Sequence, residues 1–283
     1  MNTNKTLYIS DLDGTLLNQS AKLTAYTENV LNSMMEKGLN FSVATARLLE
    51  PVRNMLANLK INVPIVLMNG VLIYDIEHDE YIRVSKIFPE AVITIVKEIN
   101  KFEISGFMYE LNNGKFMTYH EFFRQQPIPE YLEKRAVSYK SICVPNGFSS
   151  ISPDNIVYFT LINTQERLQP LHDALVVAQP DLNLAFYKNI YSEDMWFLEI
   201  FSKDASKKNA IIYLKETFGF ERVVGFGDNH NDLPMFQICD IRVAVDNAIT
   251  EIKEAADFVC DTNDNDGVAK WLKNNEIGFV QDK

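Results

Sequence analysis

The sequence predicts an α/β protein, a parallel-sheet core interrupted by a large inserted α+β domain. Short apolar runs that end in small polar residues alternate with helical stretches over residues 6–70. The same alternation returns near Asp204, whereas the segment between carries hairpin signals and close-set aromatics but no motif with evident chemistry. Strand–helix–strand alternation implies parallel strands joined by right-handed crossovers, and hairpins imply antiparallel pairing. At 283 residues, 47% of them hydrophobic, the chain suits one large domain or two modest ones with real cores.

The first run, Thr6 to Ile9, leads into Ser10-Asp11-Leu12-Asp13-Gly14-Thr15. A buried strand here delivers two carboxylates to its C-terminal edge, where ligands bind in open α/β sheets. Neighbouring carboxylates repel, so the pair wants a cation, and oxygen ligands of this kind suit Mg²⁺. The stretch also fits a strand followed by a plain Asp-Gly turn. Leu23 to Gly38 reads as a helix capped by Thr24, with Val30, Leu31, Met34 and Met35 as its apolar face. A second strand, Leu39 to Ala44, ends at Thr45-Ala46-Arg47. After a helix from about Pro51 to Leu59, a third strand, Pro64 to Met68, ends in Asn69-Gly70.

Beyond Gly70 the pattern changes. Val71 to Asp75 and Tyr81 to Val84 read as a hairpin, followed by a helix from Glu90 to Phe102. Asn113-Gly114 marks a second hairpin, with Phe107, Tyr109, Phe116 and Tyr119 on either side. A helix is expected around Glu121 to Lys134, interrupted by Pro127 and Pro129. Strand Ile156 to Ile162, helix Gln165 to Ala178 and extended segments Leu184 to Tyr187 and Trp196 to Phe201 follow. The expected division is therefore 1–84 with 191–283 as the core and 85–190 as the insert.

Ser206 is placed to cap a helix running through Ala210, Ile211 and Leu214 to Gly219, with Lys207 in its first turn. A lysine there opposes the helix dipole, so it is poorly placed for stability and well placed to hold an anion; an ordinary surface lysine is the alternative. Strand Arg222 to Phe226 runs into Gly227-Asp228-Asn229-His230-Asn231-Asp232. These two carboxylates face the same edge as Asp11 and Asp13 and supply further ligands for a cation. Strand Arg242 to Val245, helix Thr250 to Ala256, strand Phe258 to Cys260 and a helix from about Gly267 complete the pattern. Asp261 to Gly267 is no calcium loop, because its glycine falls at the seventh place rather than the sixth.

A formal charge of −11 argues against nucleic acid or an anionic membrane as partner. No apolar run approaches the roughly 18 residues that span a bilayer, and no secretion signal is evident, so a cytoplasmic location is expected. Cys143, Cys239 and Cys260 are far apart and lack C-x-x-C spacing, which points to neither a disulfide framework nor zinc.

In order along the chain, Asp11-Leu12-Asp13-Gly14-Thr15, Thr45, Lys207 and Gly227-Asp228 with Asn231-Asp232 resemble the motifs of the haloacid dehalogenase-like superfamily. With Asn69-Gly70 and Asp266-Gly267-Val268-Ala269, the resemblance narrows to the Cof-type sugar-phosphate phosphatases and spans essentially the whole chain. It implies a Rossmann-like core, a substrate-selecting cap and a Mg²⁺-dependent phosphatase. The substrate would be a small phosphorylated metabolite, such as a sugar phosphate or phosphorylated cofactor, hydrolysed through an aspartyl-phosphate. Asp11 would be the nucleophile and Asp13 the general acid and base. Thr45, Lys207, Asn231, Asn69 and Gly70 would meet the substrate, and Asp11, Asp13, Asp228 and Asp232 would form the metal set. Asp232 would orient Lys207 or a metal-bound water. A phosphomutase or phosphotransferase and a non-catalytic phosphometabolite-binding protein are the alternatives, with a monomer or weak homodimer expected. Ala46 and Lys208 stand where the family commonly has glycine; Arg47 is either a phosphate contact or a structural ion pair, and His230 an exposed neighbour.

Overall fold

The structure, a computed structural model, describes residues 5–123, 129–188 and 195–275. The chain divides into two compact units, Met1–Arg83 with Ser206–Lys283, and Val84–Ala205. In chain order the first unit begins with β1 (Thr6–Ser10), α1 (Ala25–Glu36), β2 (Asn40–Val43), α2 (Leu49–Met55), β3 (Ile65–Leu67), β4 (Leu72–Asp75) and β5 (Glu80–Val84). The second unit holds α3 (Pro89–Phe102), β6 (Gly106–Asn112), β7 (Lys115–His120), α4 (Pro129–Ser138), β8 (Ile142–Cys143), β9 (Ile156–Asn163), α5 (Gln165–Ala178), β10 (Leu182–Lys188) and β11 (Trp196–Ser202). The first unit resumes with α6 (Lys207–Phe218), β12 (Arg222–Gly227), α7 (Leu233–Phe236), β13 (Ile241–Val245), α8 (Thr250–Ala255), β14 (Phe258–Cys260) and α9 (Gly267–Asn275).

The first unit is built on a five-stranded sheet of order β14-β13-β12-β1-β2 whose neighbours are all parallel. β1 is apolar and fully flanked, so Leu7 and Ile9 have no exposed surface. The strand order reverses at β1, which has β2 on one side and β12 on the other, and such a switch point opens a crevice at the C-terminal edge. The third strand departs from the expected parallel run. β3 meets the sheet through a single bridge, Ala44 to Val66, and pairs antiparallel with β4. Side chains replace much of the missing ladder: Ser42 donates to the Pro64 carbonyl (2.7 Å), and Asn62 accepts from the Phe41 N–H (3.0 Å) while donating to the Leu39 carbonyl (2.8 Å).

The second unit is a six-stranded sheet of order β10-β11-β9-β6-β7-β8, antiparallel except for β7 with β8. Ile95 and Ile99 of α3 and Leu168, Leu171 and Leu175 of α5 pack with Met108, Phe159 and Leu198 of the sheet into one apolar core. Two expectations differ here. The helix expected from Glu121 is not formed at Glu121 to Phe123; α4 is described over Pro129–Ser138, and 124–128, Pro127 among them, lie outside the described residues. The boundary expected at 190 also lies outside them, but β11 pairs along its length with β9 and β10, which carries the second unit to Ala205. Among the described residues no helix is long and apolar enough to cross a membrane.

Candidate active site

Asp11 is the first residue after β1, on the C-terminal edge of the parallel sheet between β12 and β2. Its N–H donates to the Phe226 carbonyl of β12 (2.9 Å), and the residue is only 4% exposed. The chain then turns tightly, the Leu12 carbonyl accepting from the N–H groups of Thr15, Leu16 and Leu17. Gly14 has φ +76°, and a Cβ there would lie 2.4 Å from Asp228 Oδ2. Glycine is therefore what lets the two loops close on each other. Thr15 completes the junction by donating its hydroxyl to Asp228 Oδ1 (2.8 Å).

Lys207 opens α6, whose N-terminus Ser206 caps through the Asn209 N–H (2.9 Å). The lysine is 2% exposed, and its ammonium donates to Asp11 Oδ1 and Asp232 Oδ1, each at 2.6 Å. The other Asp232 oxygen accepts from the backbone N–H groups of Asp228 (3.0 Å) and Asn229 (3.2 Å). Both oxygens of Asp232 are thus engaged in shaping the loop and holding the lysine. Asn231 and His230 are exposed on the same turn.

Three carboxylates, those of Asp11, Asp228 and Asp232, bring oxygens within 4.8 Å of one another, and a single ammonium bridges the first and the last. Burial pushes the Asp11 carboxyl well above its ordinary range; Lys207 opposes that shift, and Asp232 and Asp228 add to it. Burial and the Asp232 charge likewise raise Asp228 to about 6. For Lys207 burial acts downward, but its two carboxylate neighbours outweigh it and hold the lysine above its usual range. The excess of negative charge and the all-oxygen donor set fit a hard divalent cation.

The remaining expected residues lie along the same edge. Thr45 is buried just past β2; its hydroxyl accepts from the Arg47 N–H (3.2 Å), and its carbonyl accepts from the Asn69 N–H (3.0 Å). Asn69 has a left-handed backbone (φ 55°), and its buried Oδ1 has no protein partner. Gly70 packs against the start of α6, where a Cβ would lie 2.2 Å from the Ser206 carbonyl. Asp13 differs from the others in being turned outward, both its oxygens held by the Arg47 guanidinium at 2.6 Å. Ala46 is exposed with no positive φ, so nothing in this backbone calls for glycine there. Lys208 reaches Gln237 Oε1 (3.3 Å).

Two contributors escaped the sequence reading. Thr15 sits inside the Asp11 motif and was readable as a hydroxyl at the same edge. Asn247 is not signalled at all; its amide donates to the Gly14 carbonyl (2.7 Å) and accepts from the Asn263 N–H (2.9 Å), tying the Asp11 loop to the segment before α9.

A family model described as haloacid dehalogenase-like hydrolase matches residues 8–272. Among curated relatives, two Bacillus subtilis proteins named 5-amino-6-(5-phospho-D-ribitylamino)uracil phosphatase are similar over nearly full length. YwtE is 25% identical over 93% of this chain and 95% of its own, and YitU is 23% identical over 96% and 98%. Among solved structures, TM0651 from Thermotoga maritima aligns with a TM-score of 0.78 at 28% identity, covering 95% of this chain and 96% of that one. A match of that extent, laid over a sheet edge that gathers carboxylates and a buried lysine from both ends of the first unit, establishes that the chain belongs to the haloacid dehalogenase-like hydrolases.

Proposed function

We propose that this hydrolase is a Mg²⁺-dependent phosphatase of small phosphomonoesters, acting through an aspartyl-phosphate on Asp11. The observation that carries the reading is the Asp11–Lys207–Asp232 cluster, in which a buried nucleophile shares its ammonium with a carboxylate that anchors the loop bearing Asp228. Mg²⁺, held by Asp11, Asp228 and the Asp13 backbone carbonyl, would supply positive charge that lets one anion approach another. Asp11 attacks phosphorus as the bond to the leaving oxygen breaks, and Asp13 protonates that oxygen. Asp13 then takes a proton from the water that attacks the aspartyl-phosphate, releasing phosphate and restoring Asp11. Lys207 and Thr45 bind the phosphoryl oxygens, and Asn231 at the rim steadies the loop or the phosphate. Asp232 belongs to this set as the residue that positions Lys207, since its oxygens are taken by N–H and ammonium donors. The unpartnered Asn69 oxygen suits a substrate hydroxyl, and Gly70 gives the turn its close fit to α6. The second unit is assigned the choice of leaving group. Phosphorylated sugars and cofactor precursors are the substrate class, supported by the names of the B. subtilis relatives.

The test is release of inorganic phosphate from sugar phosphates, phosphorylated cofactors, the ribitylaminouracil ester and an aryl phosphate, with Mg²⁺ and with EDTA. Release is expected with the metal and not with the chelator, and Asp11→Asn should lower kcat by at least about 10⁴-fold with an unchanged circular dichroism spectrum. A rate indifferent to EDTA, or an active Asp11→Asn protein, sinks the reading.

A further inference from the structure

We propose that Arg47 is a positioning residue that holds Asp13 turned away from the reaction until the substrate's phosphoryl group takes the guanidinium in its place. The inference rests on the phosphatase reading and asks how its acid is delivered. Arg47 Nε donates to Asp13 Oδ2 and Nη2 to Oδ1, both at 2.6 Å, a fork-to-fork pair that occupies both oxygens of the carboxylate. A general acid must reach the leaving oxygen, and a carboxylate with both oxygens engaged by the guanidinium is held away from that task. The side chains are 30% (Arg47) and 51% (Asp13) exposed, so water weakens the pair enough for it to exchange.

A phosphoryl group offers the guanidinium the same two-oxygen geometry with more charge. Arg47 is also anchored where such a group is expected. Its N–H donates to the hydroxyl of Thr45, and its carbonyl accepts from the Met68 N–H, next to Asn69. The two roles left open for Arg47 by the sequence, phosphate contact and ion pair, become successive states of one side chain. Binding of the phosphoryl group and release of the acid are then a single event, so Asp13 is freed only when there is an ester to cleave.

The test titrates inorganic phosphate, with Mg²⁺ present, onto the full chain as wild type, Asp13→Asn, Arg47→Gln and the double variant, and follows the Arg47 Nε–H resonance by NMR. Exchange requires two results together. Arg47→Gln weakens phosphate binding by about tenfold, and the loss is larger in the Asp13→Asn background, where the charged carboxylate no longer competes for the guanidinium. In the wild type, the Arg47 resonance shifts as phosphate is added. Arg47→Lys, which keeps the charge without the fork, recovers only part of the affinity. A loss that vanishes in Asp13→Asn means that Arg47 merely screens Asp13, and it overturns the proposal, as does a resonance that phosphate leaves unmoved. A wild type that neither binds phosphate nor releases it from any ester brings down the phosphatase reading itself.

Discussion

The edge of the parallel sheet and the interior of the second unit both bury charge, but they handle it differently. In the second unit the buried carboxylates of Glu199 and Glu110 accept from neutral donors. Glu199, 8% exposed, accepts from the Tyr158 hydroxyl (2.8 Å), and Glu110, 5% exposed, accepts from Tyr119 (2.7 Å). The nearby Arg135 guanidinium lies over the rings of Tyr139 (4.9 Å) and Phe197 (5.3 Å). At the sheet edge, Asp11 and Asp232 share the Lys207 ammonium, and Asp228, bonded to the Thr15 hydroxyl, brings a third carboxylate within 4.8 Å of theirs. Buried charge settled by local hydrogen bonds is architecture; buried charge left in excess is a request for a ligand.

The largest test of this contrast is Lys207→Ala. It strands Asp11 and Asp232 without their ammonium, so the first unit should lose about 3–5 kcal/mol in urea unfolding, together with phosphatase activity. A loss below about 1 kcal/mol would put the cluster on the same footing as the second unit.

The pH dependence is the next largest. Asp228 is raised from 3.8 to about 6, so the folded chain binds its proton more tightly than the unfolded chain. Its contribution to stability is present below the unfolded value and lost as pH rises through about 6. Without metal, the first unit should therefore melt at lower temperature at pH 7 than at pH 5. Mg²⁺, which prefers the ionised carboxylate, should raise the melting temperature more at pH 7 than at pH 5. Asp228→Asn should flatten this slope; a slope that persists in the variant belongs to other groups.

Smallest is Glu199→Gln in the second unit. The amide keeps an acceptor for the tyrosine and removes a charge that burial already disfavours, so stability should change by no more than about 1 kcal/mol. The response to Mg²⁺ should not change, and a variant with altered metal dependence would erase the distinction between the two regions.

Much of the site was legible because each of its strands is a short apolar run that stops at polar residues. Asp11, Thr45 and Asp228 follow such runs directly, and the glycine after Asp13 marks the turn. The partnerships were not legible. Lys207 meets Asp11 across 196 residues, and nothing in the surroundings of either says which acid the lysine will choose. Arg47 and Asp13 are similar, since an arginine after a strand reads the same whether it faces phosphate or carboxylate. The division of strands between the two units was not legible, because strand character carries no address. Trp196 to Phe201 is apolar and extended in any reading, but only pairing with β9 and β10 assigns it to the second unit.

The interior position of β1, between β2 and β12, also governs the order in which the sheet can form. Its neighbour β12 follows the second unit in sequence, Lys5 and Glu221 at their margin being 216 residues apart in the chain. At roughly 5–20 residues per second, a ribosome needs on the order of 10–40 s to supply that partner. Throughout that interval β2 can pair with one edge of β1 while the other edge stays open, an apolar strand with unpaired backbone groups. The second unit, contiguous from Val84 to Ala205, is complete before β12 emerges. The edge of β1 that pairs with β12 is thus completed only after the whole second unit has been synthesised, so the sheet edge that gathers Asp11, Lys207 and Asp228 is among the last features to form.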